Sequence, residues 1–394
     1  MLKIFTVIVC CLYFTVNIYC QKIVSETDLI NMALKNSRNL SASNLNIKQQ
    51  KQLLEASYNL PNPELFVESP TGNFYTASVT QSFEFPSVYG KQYQLQKQKI
   101  AFSEIEKSVS ENEIKYKVKQ LYISLQYAMA LQQQLYLQDT IYKRISSAAA
   151  RQFDAGQIDY LQKLFAENSY ADVNNQYLQA QLTGLNIEKQ LQFITAYPNK
   201  IVVTPLTNAT INNLAEYDSS SYKSSPSYAL MNQSILIAQK NIALQKAKAL
   251  PGFAFGYFNQ GERNTPIQNR FRFGITVPLW YNQYKSNINA SQTAYEIEKQ
   301  KAGGLQQQIS LQLLQAQNEQ ALFAQSLQYY QTGGLNKAAE IITTAKRFYE
   351  SGENDYISYL RNINDAYAIQ IKYLEALKNY NQAVVSINYL KGTL

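Results

Sequence analysis

The chain contains no histidine, and its three cysteines (Cys10, Cys11 and Cys20) all fall near its start. Beyond Cys20 neither imidazole nor thiolate is available. That removes the usual nitrogen and sulfur ligands of zinc and copper, disulfide staples and cysteine nucleophiles. Met32, Met129 and Met231 are scattered rather than clustered. Charge is sparse: 16% of residues are charged, with a formal balance of +8. No Lys/Arg cluster stands out, so no nucleic-acid partner is expected. There is neither a phosphate-cradling glycine loop nor a nucleophile constellation, so no enzyme, metal or cofactor is expected either. Met1-Leu-Lys3 followed by Ile4 to Phe14 has the basic start and short apolar core of a secretory signal, too short to span a membrane convincingly. Residues 1–20 are read as that signal, cleaved before Gln21. Lipidation at Cys20 is the alternative, disfavoured by the bulk of Tyr19.

What is abundant is Gln, Asn, Ser and Tyr, with 31 tyrosines against one tryptophan. The most informative feature is a repeat. Arg151-Gln-Phe-Asp-Ala-Gly-Gln-Ile-Asp-Tyr-Leu161 is echoed by Arg347-Phe-Tyr-Glu-Ser-Gly-Glu-Asn-Asp-Tyr-Ile357. In each copy the glycine, Gly156 or Gly352, is a natural left-handed stop for one helix, and Asp159 or Asp355 is placed to cap the next.

The pattern leading to each copy is the same. Ser25 to Tyr58 is helically spaced, with Ser25 as cap, and stops at Pro61 and Pro63. Glu64–Glu68 and Phe74–Phe85 then read as strands across a turn-forming run. In the second, Tyr75, Ala77, Val79, Phe83 and Phe85 alternate with Thr76, Ser78, Thr80, Ser82 and Glu84. Tyr89 to about Ala150 holds no proline and one glycine, predicting a helix of roughly 60 residues, about 90 Å long. A return helix follows to about Ala196.

After a Pro- and Ser-rich linker, residues 197–225, the order begins again. A helix stops at Pro251, and Gly252–Phe258 and Arg270–Leu279 alternate as strands. A long Gln-rich helix follows, with soft spots at Gly303-Gly304 and Gly333-Gly334, then the second turn and a last helix to about Leu390. The halves are thus 21–196, with a β-hairpin at 63–86, and 226–394, with a β-hairpin at 252–280. The strands have the length, and the apolar and polar faces, of transmembrane β-strands. Four strands cannot close a barrel and open edges are not viable in lipid, so several chains must contribute; three would supply twelve strands.

The order of elements, the duplication and the turn motif resemble the TolC-type outer-membrane efflux proteins, and within them the branch serving heavy-metal cation pumps. The resemblance implies a mainly α fold with a transmembrane β-barrel portion. A homotrimer would form a twelve-stranded barrel in outer-membrane lipid and an α-helical tunnel across the periplasm, docked onto a periplasmic adaptor and an inner-membrane pump. Such a chain is a passive exit duct. On that reading Thr76, Ser78, Ser82, Arg270 and Arg272 face the lumen. The two turns form the periplasmic end, where Asp154, Asp159, Glu350, Glu353 and Asp355 gather negative charge and Arg151 and Arg347 are their pairing partners. Gly156 and Gly352 would let an adaptor approach closely. For Asp159 and Asp355, helix capping is the competing explanation. The rival function is an exported coiled-coil scaffold or surface-interaction protein without a pore.

Overall fold

The computed structural model describes residues 23–69, 72, 75–207, 221–259 and 266–394. The signal and Cys20 lie outside the described residues, as do 208–220 of the linker and 260–265 of the second hairpin loop. The elements in chain order are helices α1 (Glu26–Asn36) and α2 (Arg38–Ala56), strands β1 (Glu64–Glu68) and β2 (Thr76–Phe83), then helices α3 (Pro86–Asp154), α4 (Tyr160–Thr195) and α5 (Pro226–Lys248). Strands β3 (Gly252–Phe258) and β4 (Phe271–Thr276) follow, then helices α6 (Tyr281–Tyr329), α7 (Leu335–Glu350) and α8 (Tyr356–Lys391). Two compact units share these elements.

One unit comprises residues up to Ala33, Leu121–Thr207 and Asn336–Leu374. Its core joins the end of α3 (Tyr142, Ala149), α4 (Ala166, Val173), α7 (Ala345) and α8 (Leu360, Ile363). Alanines at these contacts let helices approach while tyrosine rings fill the space beside them. The start of the linker is pinned in the same unit. Ile201 is fully buried and its N–H donates to Glu188 Oε1 at 2.9 Å. The Val24 N–H donates to the Val202 carbonyl at 2.9 Å, and the Tyr122 hydroxyl donates to the Val24 carbonyl at 3.3 Å.

The other unit comprises Leu34–Gln120, Asn208–Leu335 and Glu375–Leu394 and carries the sheet. Its helices pack through small apolar clusters, one of Val88, Leu244 and Ala247 with Phe85 and Leu95, another of Leu313, Ala316 and Ile387. The amide-rich composition has a use here. Gln96 Nε2 donates to both the carbonyl and Oε1 of Gln50 at 2.9 Å. Gln233 treats Gln98 alike, at 3.0 and 2.9 Å. Asn112 Nδ2 reaches the Tyr389 carbonyl at 2.9 Å. Each bond satisfies a buried or half-buried amide and fixes the register of two helices, which a sliding apolar seam alone would not.

Two local expectations need correction, and a third holds. The single helix expected from Ser25 to Tyr58 is two, because Ser37 leaves the helical conformation and accepts the Leu40 N–H on its hydroxyl, starting α2 afresh. Gly303-Gly304 is uninterrupted helix within α6. Gly333-Gly334 does perturb its helix, as part of a π turn over Tyr330–Gly334. A Cβ at Gly334 would meet the rings of Tyr330 and Tyr329 at 3.1 and 3.3 Å. The extra residue of a π turn accommodates such local crowding.

Candidate channel wall and tip turns

The four strands form one antiparallel sheet in the order β1-β2-β3-β4, so the two hairpins join through β2 and β3. Register decides the faces, since residues directly opposite share one. Leu65, Val79, Tyr257 and Phe271 lie in one row; Gln81, Phe255 and Phe273 lie in the next; Phe83, Phe253 and Ile275 form a third. Ring pairs cross these rows: Phe253 with Phe273 at 6.2 Å and Phe255 with Phe271 at 5.6 Å between centroids.

The opposite face carries Glu64, Glu68, Thr76, Ser78, Thr80, Ser82, Arg272 and Thr276, interleaved with Gly252, Gly256 and Gly274 and with Phe66, Ala254 and Phe258. Gly256 is required by close approach, because a Cβ there would lie 3.1 Å from both Thr80 Oγ1 and the Val79 carbonyl. Within β2 the exposure is inverted relative to a soluble protein, while β1 and β4 are exposed on both faces. Ser78 is buried, whereas its neighbour Val79 is exposed, as are Leu65, Val67, Phe273 and Ile275. An ordinary sheet buries its apolar face against a core. Among the described residues, β1 and β4 also each present one edge with no partner strand.

Four of the five residues expected to face a lumen, Thr76, Ser78, Ser82 and Arg272, therefore share the polar face. The Arg272 guanidinium lies 3.6 Å from the centroid of the Phe258 ring. Arg270 departs from the expectation. It ends a 3₁₀ turn (Ile267–Arg270), outside the strand's alternation, and its Nη1 bonds the Tyr257 hydroxyl at 3.3 Å and Asn259 Oδ1 at 3.4 Å. It closes the hairpin.

The two tip turns are built alike. At the end of α3 the Gly156 N–H donates to the Phe153 carbonyl (2.9 Å) and the Gln157 N–H to that of Gln152 (2.8 Å), with Gly156 at φ 71°. At the end of α7 the Gly352 N–H donates to Tyr349 (3.2 Å) and Glu353 to Phe348 (3.0 Å), with Gly352 at φ 77°. Both are Schellman closures, which require a left-handed residue at the position glycine holds. Each return helix is then capped. Asp159 Oδ1 accepts the Gln162 N–H at 2.8 Å while Gln162 Oε1 accepts the Asp159 N–H at 3.2 Å. Asp355 Oδ1 accepts the Ser358 N–H at 2.6 Å. The Ser358 hydroxyl, and then its backbone N–H, hold the Asp355 carboxyl below the usual carboxylate range.

The remaining tip acids are Asp154, Glu350 and Glu353. Glu350 pairs with Lys346 at 3.8 Å, and Glu353 Oε1 accepts the Ser351 hydroxyl at 3.1 Å. The expected pairing of Arg151 and Arg347 with these acids is not found among the described residues. Both arginines sit in last helical turns, where a cation is favoured by the unpaired carbonyls, and Arg347 lies over the Phe348 ring at 5.5 Å. The periodicity did not single out a groove of about 640 Å³ beside the second turn, lined by Lys337, Glu340, Ile341, Phe348, Asn354 and Asp365. Its residues come from α7, α8 and the turn between them, and the spacing within either helix alone does not mark a groove formed between the two.

No family model matches the chain, and no curated protein does. Solved structures do. The Campylobacter jejuni CmeC outer membrane channel superposes with a TM-score of 0.78 at 14% identity, covering 93% of this chain and 85% of that one. The Vibrio cholerae outer membrane protein VceC gives 0.76 at 12% identity, covering 93% and 96%. CusC, solved in a study of folding and transmembrane channel formation, gives 0.74 at 16% identity, covering 93% and 91%. The chain has the fold of these outer-membrane channels. At such identities the likeness establishes the fold, and the function rests on the chain's own surfaces.

Proposed function

We propose that this protein is the outer-membrane channel of a tripartite efflux system: a passive duct through which substrates leave, driven by an inner-membrane pump and passed on by a periplasmic adaptor. Three copies would each lend four strands to a twelve-stranded barrel, pairing the edges of β1 and β4 between neighbours. The observation that carries this reading is the two-faced sheet: one face is almost wholly aromatic and aliphatic and largely exposed, and the other gathers the serines, threonines, glycines and Arg272, with Phe66, Ala254 and Phe258 among them. A face of that composition is costly in water and favourable in hydrocarbon, and the opposite face suits a wet lumen.

The tip acids would repeat around the threefold axis. Asp159 and Asp355 are occupied in capping, which leaves Asp154, Glu350 and Glu353 as the carboxylates of a periplasmic aperture. The groove beside the second turn offers an adaptor helix a mixed apolar and charged seat. Heavy-metal cations are the cargo class that the sequence resemblance singles out. With no histidine, and no cysteine beyond Cys20, the chain would pass such a cation rather than bind it tightly.

Spin labels at Tyr75, Phe83, Phe271 and Ile275, against labels at Thr76, Ser82, Arg272 and Thr276, test the barrel in reconstituted vesicles. The first set should be reached by lipid-soluble relaxation agents and the second by water-soluble ones. A detergent-free soluble protein with the first set shielded from both would instead indicate a scaffold without a pore. The Asp154→Asn, Glu350→Gln double variant should raise single-channel conductance in planar bilayers; unchanged conductance would remove these acids from the aperture.

A further inference from the structure

We propose that Trp280 anchors the chain at the headgroup boundary of a lipid bilayer, where the second hairpin runs into α6, and that the second half of the chain alone carries this anchor. The inference rests on the reading of the sheet's exposed apolar face as lipid-facing, and adds where that contact ends.

The internal repeat supplies the argument. Phe85-Pro86-Ser87-Val88-Tyr89 and Val277-Pro278-Leu279-Trp280-Tyr281 occupy equivalent places, each leading from a hairpin into a long helix. Their fates differ. Val88 is 1% exposed, packed with Leu244 and Ala247 of α5, and Trp280 is 83% exposed. The Tyr89 hydroxyl accepts the Glu84 N–H at 3.0 Å, whereas Tyr281 is exposed, and Leu279 beside it is more exposed still. An aliphatic residue turned into the helix core has therefore been matched by the bulkiest side chain turned outward.

The surroundings of Trp280 change character over a few residues. Ile275 and Val277 precede it as exposed apolar groups, and Asn282, Gln283 and Lys285 follow. The cavity it borders also takes in Glu84, Lys248, Gln283 and Tyr284, charged and polar groups that hydrocarbon would not accept. An indole, with a broad apolar ring and one N–H donor, is the side chain best suited to that boundary.

Trp280 is the only tryptophan, so the unmodified protein reports on itself. The full-length protein is reconstituted into phosphatidylcholine vesicles carrying bromine high on the acyl chain, or at its end, and its fluorescence is compared with that in unbrominated vesicles. The expected result is a larger loss of emission with the shallow bromines than with the deep ones. Stronger quenching by the deep bromines would place Trp280 within the hydrocarbon and overturn the boundary. No bromine quenching overturns the anchor in either form: with aqueous iodide effective, the indole sits in water, and with iodide also excluded, another copy of the chain covers it. Ile275→Trp in a Trp280→Phe background keeps the two readings apart. If that probe is quenched by lipid bromines and Trp280 is not, the anchor fails and the barrel stands; if neither is quenched, the barrel reading fails too.

Discussion

The first and second tip turns share a motif, a Schellman closure, a left-handed glycine and an aspartate cap, yet the helices they launch meet different surroundings. Tyr160 and Leu161, opening α4, are 63% and 64% exposed, and Leu164 and Phe165 one turn on are exposed as well. Tyr356, opening α8, is 4% exposed and belongs with Tyr359, Leu360 and Ile363 to the core of its unit. Its ring meets Tyr349 edge-on at 5.9 Å, and Tyr349 stacks on Tyr359 at 4.8 Å. The lesson is that a turn is a local object and its neighbours are not. Backbone closure and capping repeat because they depend on a few consecutive residues. Burial differs because it depends on which helix happens to pass by.

That contrast sets the largest predicted effect. Tyr356→Ala should destabilise by about 3–5 kcal/mol, as large core truncations do, and Tyr160→Ala by about 0.5 kcal/mol or less, read as thermal midpoints in detergent. Equal losses would mean that Tyr160 is covered in the assembled protein. Among the described residues the buried Tyr356 hydroxyl has no hydrogen-bond partner, so Tyr356→Phe should be neutral or slightly stabilising in the same measurement. A clear loss would reveal a partner for that hydroxyl and recast the second turn's core as polar.

A smaller effect should be the same at both turns. Gly156→Ala and Gly352→Ala each force a side chain into the left-handed region and should cost about 1–2 kcal/mol apiece, although among the described residues nothing lies within 4 Å of the added Cβ at either site. A marked inequality would break the claim that the closures are equivalent.

The smallest effect concerns acid. Asp355 has a folded pKa below its ordinary value, so its cap contributes above the ordinary carboxylate pKa and is lost as pH falls through the lowered folded one. Carboxyl titration followed by NMR should show the Asp355 pKa rising in Ser358→Ala toward the ordinary range. No change would mean that the Ser358 hydroxyl is not the group holding it down.

Much of the fold was legible before any coordinates. Glycine followed three residues later by aspartate predicts stop and restart, and Gly156–Asp159 and Gly352–Asp355 do both. Alternation placed Val79 and Ser78 on opposite faces, and Phe273 and Arg272 likewise. Arg270 was misplaced because alternation was extended past the strand into a turn, where period two no longer applies. The break at Ser37 was missed because the apolar spacing continues through it, while a single serine hydroxyl redirects the backbone.

What the amino-acid sequence determined alone is therefore what a short run of residues controls: the duplication, the helix ends, the turns and the two-faced strands. Tertiary structure decided which strands lie side by side, and so that the two hairpins meet through β2 and β3. It also decided that Val88 and Tyr356 are covered while Trp280 and Tyr160, at matching places, are left outside. The physical reason is that periodicity records which face of an element is apolar, whereas burial also requires another element to arrive there, and that depends on residues far away along the chain.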